Sequence, residues 1–371
     1  MRSLSIFNKS STFDGIYVIL MVNRLQLLYY FFILPMYLVY PYMIWGIIVM
    51  GVLSQFNIML FSKWFSSVTS PKDYQGFVKL FGEPTVRIFA FLGWMIILVK
   101  ITIITLSYIE IVHQFIFPGM NMNWLIFFIF LLTCYIAGHG MEKTIRFVVI
   151  SFLLSVWMLL LFIPFYIPPI ASLQDLLPII PTEWPKDLWN KLVFLWSCYS
   201  GPELLVFMLP WLSPEQKILK YLTIANAFSV MEYVIVFVAS LFFFGSNYLL
   251  ISEFPVINMI RYLQSPVTER LDMIMISIHM IHFAFAASIF KLFLYGGARI
   301  VMGTWNKPST LIGFMASCSL IFVCTIIVKE TLWMEGTEEN IGLMVEIGLG
   351  ALTYLLVPSF LLMASKRRRR V

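Results

Sequence analysis

Charged side chains are scarce in this sequence, at 12% of 371 residues, where soluble domains carry about 25%. That shortage excludes a soluble fold, because 19 acids and 25 bases cannot give a chain of this length an ordinary water-facing surface. Cysteine is rarer still. Cys134, Cys198, Cys318 and Cys324 lie in apolar runs without metal-ligand spacing, which sets aside a disulfide framework and a zinc site and leaves packing as their role. A phosphate-binding glycine loop, a nucleophile elbow and a nucleotide fingerprint are also missing, so neither an enzyme class nor a cofactor is indicated. What is abundant is apolar. Hydrophobic residues make up 60% of the chain and the mean hydropathy is +0.89, the composition of an all-α polytopic membrane protein.

Runs of about 20 apolar residues, the length that crosses a bilayer as a helix, fall at 14–38, 42–62, 86–116, 123–141, 144–165, 188–212, 218–244, 270–298, 309–329 and 341–364. Ten transmembrane helices are expected, in a single integral membrane domain covering 1–371. Lys and Arg collect in the N-terminal segment, in the loops after spans 2, 4, 6 and 8, and in the basic tail Lys366-Arg367-Arg368-Arg369-Arg370. The opposite loops hold only Lys186, Lys191, Arg261, Arg270 and Lys329. By the positive-inside rule both termini are cytoplasmic, and the net charge of +6 reflects this bias toward the bilayer rather than a nucleic-acid partner. The first run holds Asn23 and Arg24 and ends at Pro35 without a small-residue cleavage pattern, so it reads as a retained span and not a signal peptide. Two segments outside the membrane stand out, a cytoplasmic connector at 66–84 and an external stretch at 246–268. In the latter, Phe254, Val256, Ile257, Ile260 and Leu263 predict a short helix lying on the protein.

Span 6 is interrupted by Tyr199-Ser200-Gly201-Pro202-Glu203, two helix breakers with a small hydroxyl and a carboxylate. A proline costs a helix interior about 3 kcal/mol and an ionised acid near the bilayer centre costs about 3 more, so the break needs polar company that lipid does not offer. An echo of this run occurs in span 1. Gln26-Leu27-Leu28-Tyr29-Tyr30-Phe31-Phe32-Ile33-Leu34-Pro35 and Gly201-Pro202-Glu203-Leu204-Leu205-Val206-Phe207-Met208-Leu209-Pro210 both run from a polar start to a Leu-Pro end. One opens each half of a ten-span chain, as in an inverted repeat of five plus five spans.

The run Gly201 to Leu212 resembles the Gly-x-Glu-x-Leu-x-Phe-x-Leu-Pro-Phe-Leu pattern of the B subunits of bacterial spore nutrient-germinant receptors. Gly140-Met141-Glu142 with Arg146 is similar to that family's Gly-Ile-Glu and later Arg. Phe254-Pro255-Val256, then Pro266-Val267-Thr268-Glu269-Arg270-Leu271-Asp272, is similar to its external proline segment and its entry to span 8. The resemblance covers nearly the whole chain. It implies a member of the amino acid, polyamine and organocation transporter superfamily, with a LeuT-like 5+5 inverted repeat, first repeat about 14–165 and second about 188–364. In that fold spans 1 and 6 are discontinuous, with half-helix N-termini offered to anions and freed carbonyls to cations. It also implies a small-molecule nutrient as ligand, an A-type channel-forming membrane subunit and a C-type lipoprotein as partners, and residence in the spore inner membrane. Where the family has glycines in span 1, this chain has Leu28 and Tyr30. The bulk there implies a smaller pocket, a different ligand or a subunit that has lost its ligand.

The residues expected to line a ligand site are Gln26, Leu28, Tyr30, Lys100, Tyr199, Ser200, Gly201, Glu203 and Ser288, with Arg24, Glu110, Glu232 and Lys291 as coupling or buried charges. Glu203 suits a ligand ammonium or a proton, and equally a cap for the broken half-helix. Lys100, Ser107 and Gln114 recur every seven residues, with Glu110 among them, and form one stripe on span 3. Lys100 is a fixed positive charge beside the pocket standing in for a coupling cation, the partner of an acid such as Glu203 or Glu232, or both. Asn226, Ser229 and Tyr233 share a face of span 7 and read as packing. His279 and His282 on span 8 bridge helices or titrate; no carboxylate on that helix completes a metal site. Lys291 is an anchor or a cavity charge. The preferred function is a germinant-sensing receptor subunit. The alternatives are a proton-coupled amino-acid permease using Glu203, Lys100 or Glu232, and a channel-like or scaffolding subunit without its own ligand.

Overall fold

The computed structural model describes residues 3–4, 6–66, 74–168, 170–181, 186–213, 217–263, 269–333 and 340–368. Part of the 66–84 connector, Pro266-Val267-Thr268 and the tail residues Arg369 and Arg370 lie outside these. Helices account for almost every apolar run, since backbone polar groups in hydrocarbon must be satisfied within the segment. Span 1 is two helices, α1 (Gly15–Gln26) and α2 (Tyr30–Leu38), bent by 52°. Asp14 starts α1 by accepting the Ile16 N–H at 3.2 Å. There follow α3 (Met43–Ser66), α4 (Tyr74–Phe81) in the connector, α5 (Glu83–Phe115), α6 (Met122–Gly138) and α7 (Met141–Val156). Span 6 begins as α8 (Leu188–Cys198), and α9 (Ile218–Leu249) succeeds it. The external stretch carries α10 (Pro255–Arg261), the expected short helix; α11 (Leu271–Val301), α12 (Leu311–Thr331) and α13 (Ile341–Arg368) complete the order.

Among the described residues, eight helices are long and apolar enough to cross a membrane, or nine when the bent pair counts as one span. Met122–Gly138 is a shorter apolar helix of 17 residues. Exposed apolar side chains such as Ile88, Leu92, Leu131, Leu153, Val323 and Leu352 form the outer, lipid-facing surface. Burial separates centre from rim. In an apolar 18-residue stretch of each, 72% of the residues are buried in Leu188–Trp211 and 67% in α11, against 22% in α12. The interrupted span therefore sits in the middle of the bundle.

Two spans do not finish as α-helices. Trp157–Tyr166 after α7, and Pro202–Trp211 after the break in span 6, are 3₁₀ helices of 10 residues each, with Pro164 and Pro210 inside them. Proline withholds a backbone donor and disturbs the preceding turn. The 3₁₀ winding rises about 2.0 Å per residue against about 1.5 Å, so a short segment reaches further across the bilayer.

The N-terminal residues form a strap across one end of the bundle. Ser3–Leu4 pairs antiparallel with Ser309–Thr310, Met141 N–H donates to Ile6 O at 2.9 Å, and Phe13 exchanges backbone bonds with Trp211 O and the Ser213 N–H at 2.8 and 3.2 Å. The Glu142 carboxylate accepts from the Ser10 N–H, the Ser10 hydroxyl at 2.6 Å and the Ser11 N–H at 2.8 Å; Arg146 donates to the Ser11 hydroxyl at 3.2 Å. Gly140 takes φ +92°, and a Cβ there would meet Ile6 O at 2.9 Å. The Gly140-Met141-Glu142 element with Arg146 is thus the clasp of this strap.

Candidate functional site

Two breaks face each other at the centre. The first lies between Gln26 and Tyr30 and the second covers Tyr199 to Gly201. Gly201 has φ +154°, and a Cβ on it would stand 3.3 Å from both Gln26 Cγ and Leu25 Cβ, so the two backbones approach as closely as a glycine permits. Gln26 joins them. Its Nε2 donates to Tyr199 O at 2.9 Å, its Oε1 accepts from the Ser229 hydroxyl at 2.7 Å, and its own carbonyl accepts from the Tyr233 hydroxyl at 2.5 Å. Ser229 and Tyr233 on α9, expected as packing residues, are the struts that hold the breaks together.

Glu203 caps the second half of span 6. Its Oε1 accepts from the Ser200 hydroxyl at 2.6 Å and its Oε2 from the Gly201 N–H at 2.7 Å, which neutralises donors that the break exposes. Lys100 Nζ donates to the Ser200 hydroxyl at 3.0 Å and lies 4.0 Å from Glu346. Glu346, on α13, accepts from the Tyr30 hydroxyl, which also lies 3.1 Å from Ser197 Oγ. The chain Glu203, Ser200, Lys100, Glu346, Tyr30 links span 6, α5, α13 and α2.

Between these groups lies a cavity of about 10 Å³ lined by Gln26, Leu28, Tyr30, Lys100, Ser200 and Glu346 with apolar neighbours. Room of that size admits about one water-sized group. Leu28 and Tyr30 are among the bulky side chains that bound the cavity. Glu346 was not among the residues singled out from the sequence. The available signal was a lone carboxylate within the apolar run of α13.

A second cluster sits beside the first. Arg24 and Glu232, each 2% exposed, form an ion pair at 2.7 Å. Asn23 Nδ2 donates to Glu232 at 2.7 Å and to the Ser229 hydroxyl at 2.9 Å, and Arg24 Nη1 donates to Ser155 at 2.7 Å. His282 Nε2 lies 2.6 Å from Arg24 O, and His279 Nδ1 lies 3.2 Å from the Tyr108 hydroxyl. Both histidines bridge helices, and among the described residues no group of three metal-ligating side chains forms. Three expected site residues, Ser288, Lys291 and Glu110, lie elsewhere. Ser288 bonds Ala284 O at 2.6 Å and Thr133 O at 3.2 Å, and Lys291 bonds Thr133 Oγ1 at 2.6 Å, Phe130 O at 3.2 Å and Cys134 Sγ at 3.3 Å, so both tie α11 to α6. Glu110 is buried ten residues along α5 from Lys100, about 15 Å away by helix rise and outside the cavity lining; Gln114 is exposed.

A mostly helical membrane protein whose two interrupted spans meet at a polar cavity is built as a transporter is. Its fold matches that of a Na+-coupled sialic acid symporter, solved in a substrate-bound outward-open state, with TM-score 0.51 and 16% identity over 98% of this chain and 76% of the other. A manganese transporter of Eremococcus coleocola aligns over 98% of this chain and 83% of that one, with TM-score 0.47 and 10% identity. The chain belongs to the spore germination protein family, whose model matches residues 15–332. Spore germination protein GerQB of Bacillus cereus is 27% identical over 190 residues, so the matched region spans about half the length of that curated relative and of this chain.

Proposed function

We propose that this chain is the nutrient-sensing subunit of a germinant receptor. A small solute binds between the breaks of spans 1 and 6, α5 and α13, and the resulting shift between two arrangements of the bundle is passed to an A-type channel-forming subunit and a C-type lipoprotein. The size of the response is set by the difference in the ligand's affinity for the two arrangements. The observation that carries this reading is the meeting of both broken spans at a buried polar cavity, in a chain of the spore germination family. The protein is a multi-pass membrane protein of permease-like build, and the reading places it in the spore inner membrane, with ten spans in a five-plus-five inverted repeat and both termini cytoplasmic. The strap supports that alternation, because it gathers the starts of α1, α7 and α12 and the end of span 6 at one end of the bundle.

Spores lacking the chain, exposed to a panel of amino acids, sugars and nucleosides, test the proposal. Loss of the response to at least one nutrient, restored by the wild-type gene but not by a Lys100→Met variant, is the expected outcome. Normal germination on every nutrient, in a strain without redundant receptors, removes it.

A further inference from the structure

Both breaks free backbone groups, and this chain engages them with its own side chains. At the start of the 202–211 helix the Gly201 N–H and the Ser200 hydroxyl donate to Glu203, so the anion position at that N-terminus holds a protein carboxylate. The freed carbonyls are treated likewise. Arg24 O meets His282 Nε2, Gln26 O meets the Tyr233 hydroxyl and Tyr199 O meets Gln26 Nε2. A ligand's polar ends would have to compete with an internal partner at each of these groups.

Glu346 differs. It is 2% exposed and lines the cavity, and its Oε1 has no hydrogen-bond partner among the described residues. Lys100 Nζ lies 4.0 Å away, beyond hydrogen-bond reach. A buried carboxylate oxygen without a donor is costly to maintain. The space beside Oε1 admits about one water-sized group. A primary ammonium group has about that size, the opposite charge and three donors.

We propose that Glu346 receives a primary ammonium group of the ligand, and that Leu25, Leu28 and Ile104, which line the same cavity, move apart to admit the short apolar body that carries it. The inference rests on the nutrient-pocket reading above and moves recognition from the freed backbone to a side chain of α13. Two sources share this chemistry, an α-amino acid, whose carboxylate would take Lys100, and a plain amine, which would not need it.

The test titrates the purified full-length chain in lipid nanodiscs with ethylamine, L-alanine, propionate and n-propanol, reading binding by calorimetry. Ethylamine, L-alanine or both are expected to bind, and propionate and propanol are not. Glu346→Gln is expected to weaken that binding about 10- to 100-fold with an unaltered size-exclusion profile, while Glu346→Asp keeps the charge and more of the affinity. A preference for L-alanine that Lys100→Met abolishes identifies the zwitterion as the source; equal binding of both amines identifies the plain amine. Unchanged affinity in Glu346→Gln, binding of propionate or propanol instead, or no binding of either amine overturns the proposal. Should the glutamine variant not fold, the wild-type choice between amines and the other two probes decides alone. Propionate or propanol binding, or amine binding indifferent to Glu346, leaves the pocket reading standing, whereas a normal response from spores lacking the chain removes that reading.

Discussion

Arg24 and Glu232 show what a buried charge does in this bundle at the scale of single residues. Their ion pair is enclosed by Asn23, Ser155 and Ser229, so both side chains have the extra hydrogen bonds that a desolvated pair requires. Removing one partner strands the other. Glu232→Leu is expected to lower stability by about 3–5 kcal/mol, and Arg24→Met with Glu232→Leu to recover most of that loss; unfolding in mild detergent, followed by tryptophan fluorescence, checks the cycle. If the double variant is no more stable than the single, the pair is not the unit that matters. Much of this was legible in the sequence, because a charge within an apolar run must find a partner, and Glu232 and Arg24 were both conspicuous. Their pairing with each other was not, and neither was Glu346 as the neighbour of Lys100. Which face of one span meets which face of another depends on how helices pack, and one sequence does not state that.

At the scale of elements, the break in span 6 was written plainly as Gly201-Pro202 beside a carboxylate, whereas the break in span 1 was expected only through the family resemblance and the echo of span 6. Leu27 to Tyr29 contains no helix breaker. The opening there is held by tertiary partners, with His282 on Arg24 O and Tyr233 on Gln26 O taking carbonyls that a continuous helix would have used. The 3₁₀ endings of spans 5 and 6 were only half signalled by Pro164 and Pro210, since Pro35 and Pro358 sit inside segments that stay α-helical. The strap adds a long-range constraint that the Gly140-Met141-Glu142 motif marked without explaining. Three donors from Ser10 and Ser11 converge on Glu142, so Glu142→Ala removes the acceptor that fixes the strap's middle. Limited proteolysis is expected to cut the variant within residues 6–13 several-fold faster than the wild type, with the rest of the chain equally resistant. Equal cleavage rates would mean that the backbone bonds of Ile6 and Phe13 suffice without the carboxylate.

At the scale of the whole molecule, the symporter that shares this fold is coupled to Na+, and a helix break in lipid can be satisfied either by a cation or by donors from the protein. This chain supplies donors. His282 serves Arg24 O, Tyr233 serves Gln26 O and Gln26 serves Tyr199 O, while Lys100 supplies a tethered positive charge beside the second break. A bound cation would have to displace these donors from the carbonyls they already satisfy. For the receptor role proposed for this chain, the arrangement therefore predicts a response that does not depend on sodium. Nutrient-triggered germination of spores relying on this chain is expected to proceed at the same rate, within about twofold, when NaCl is replaced by choline chloride at equal ionic strength, a comparison that holds screening constant. A response that disappears without sodium and returns in proportion to its concentration would show that a cation, and not His282, Tyr233 and Lys100, completes the breaks in the working state.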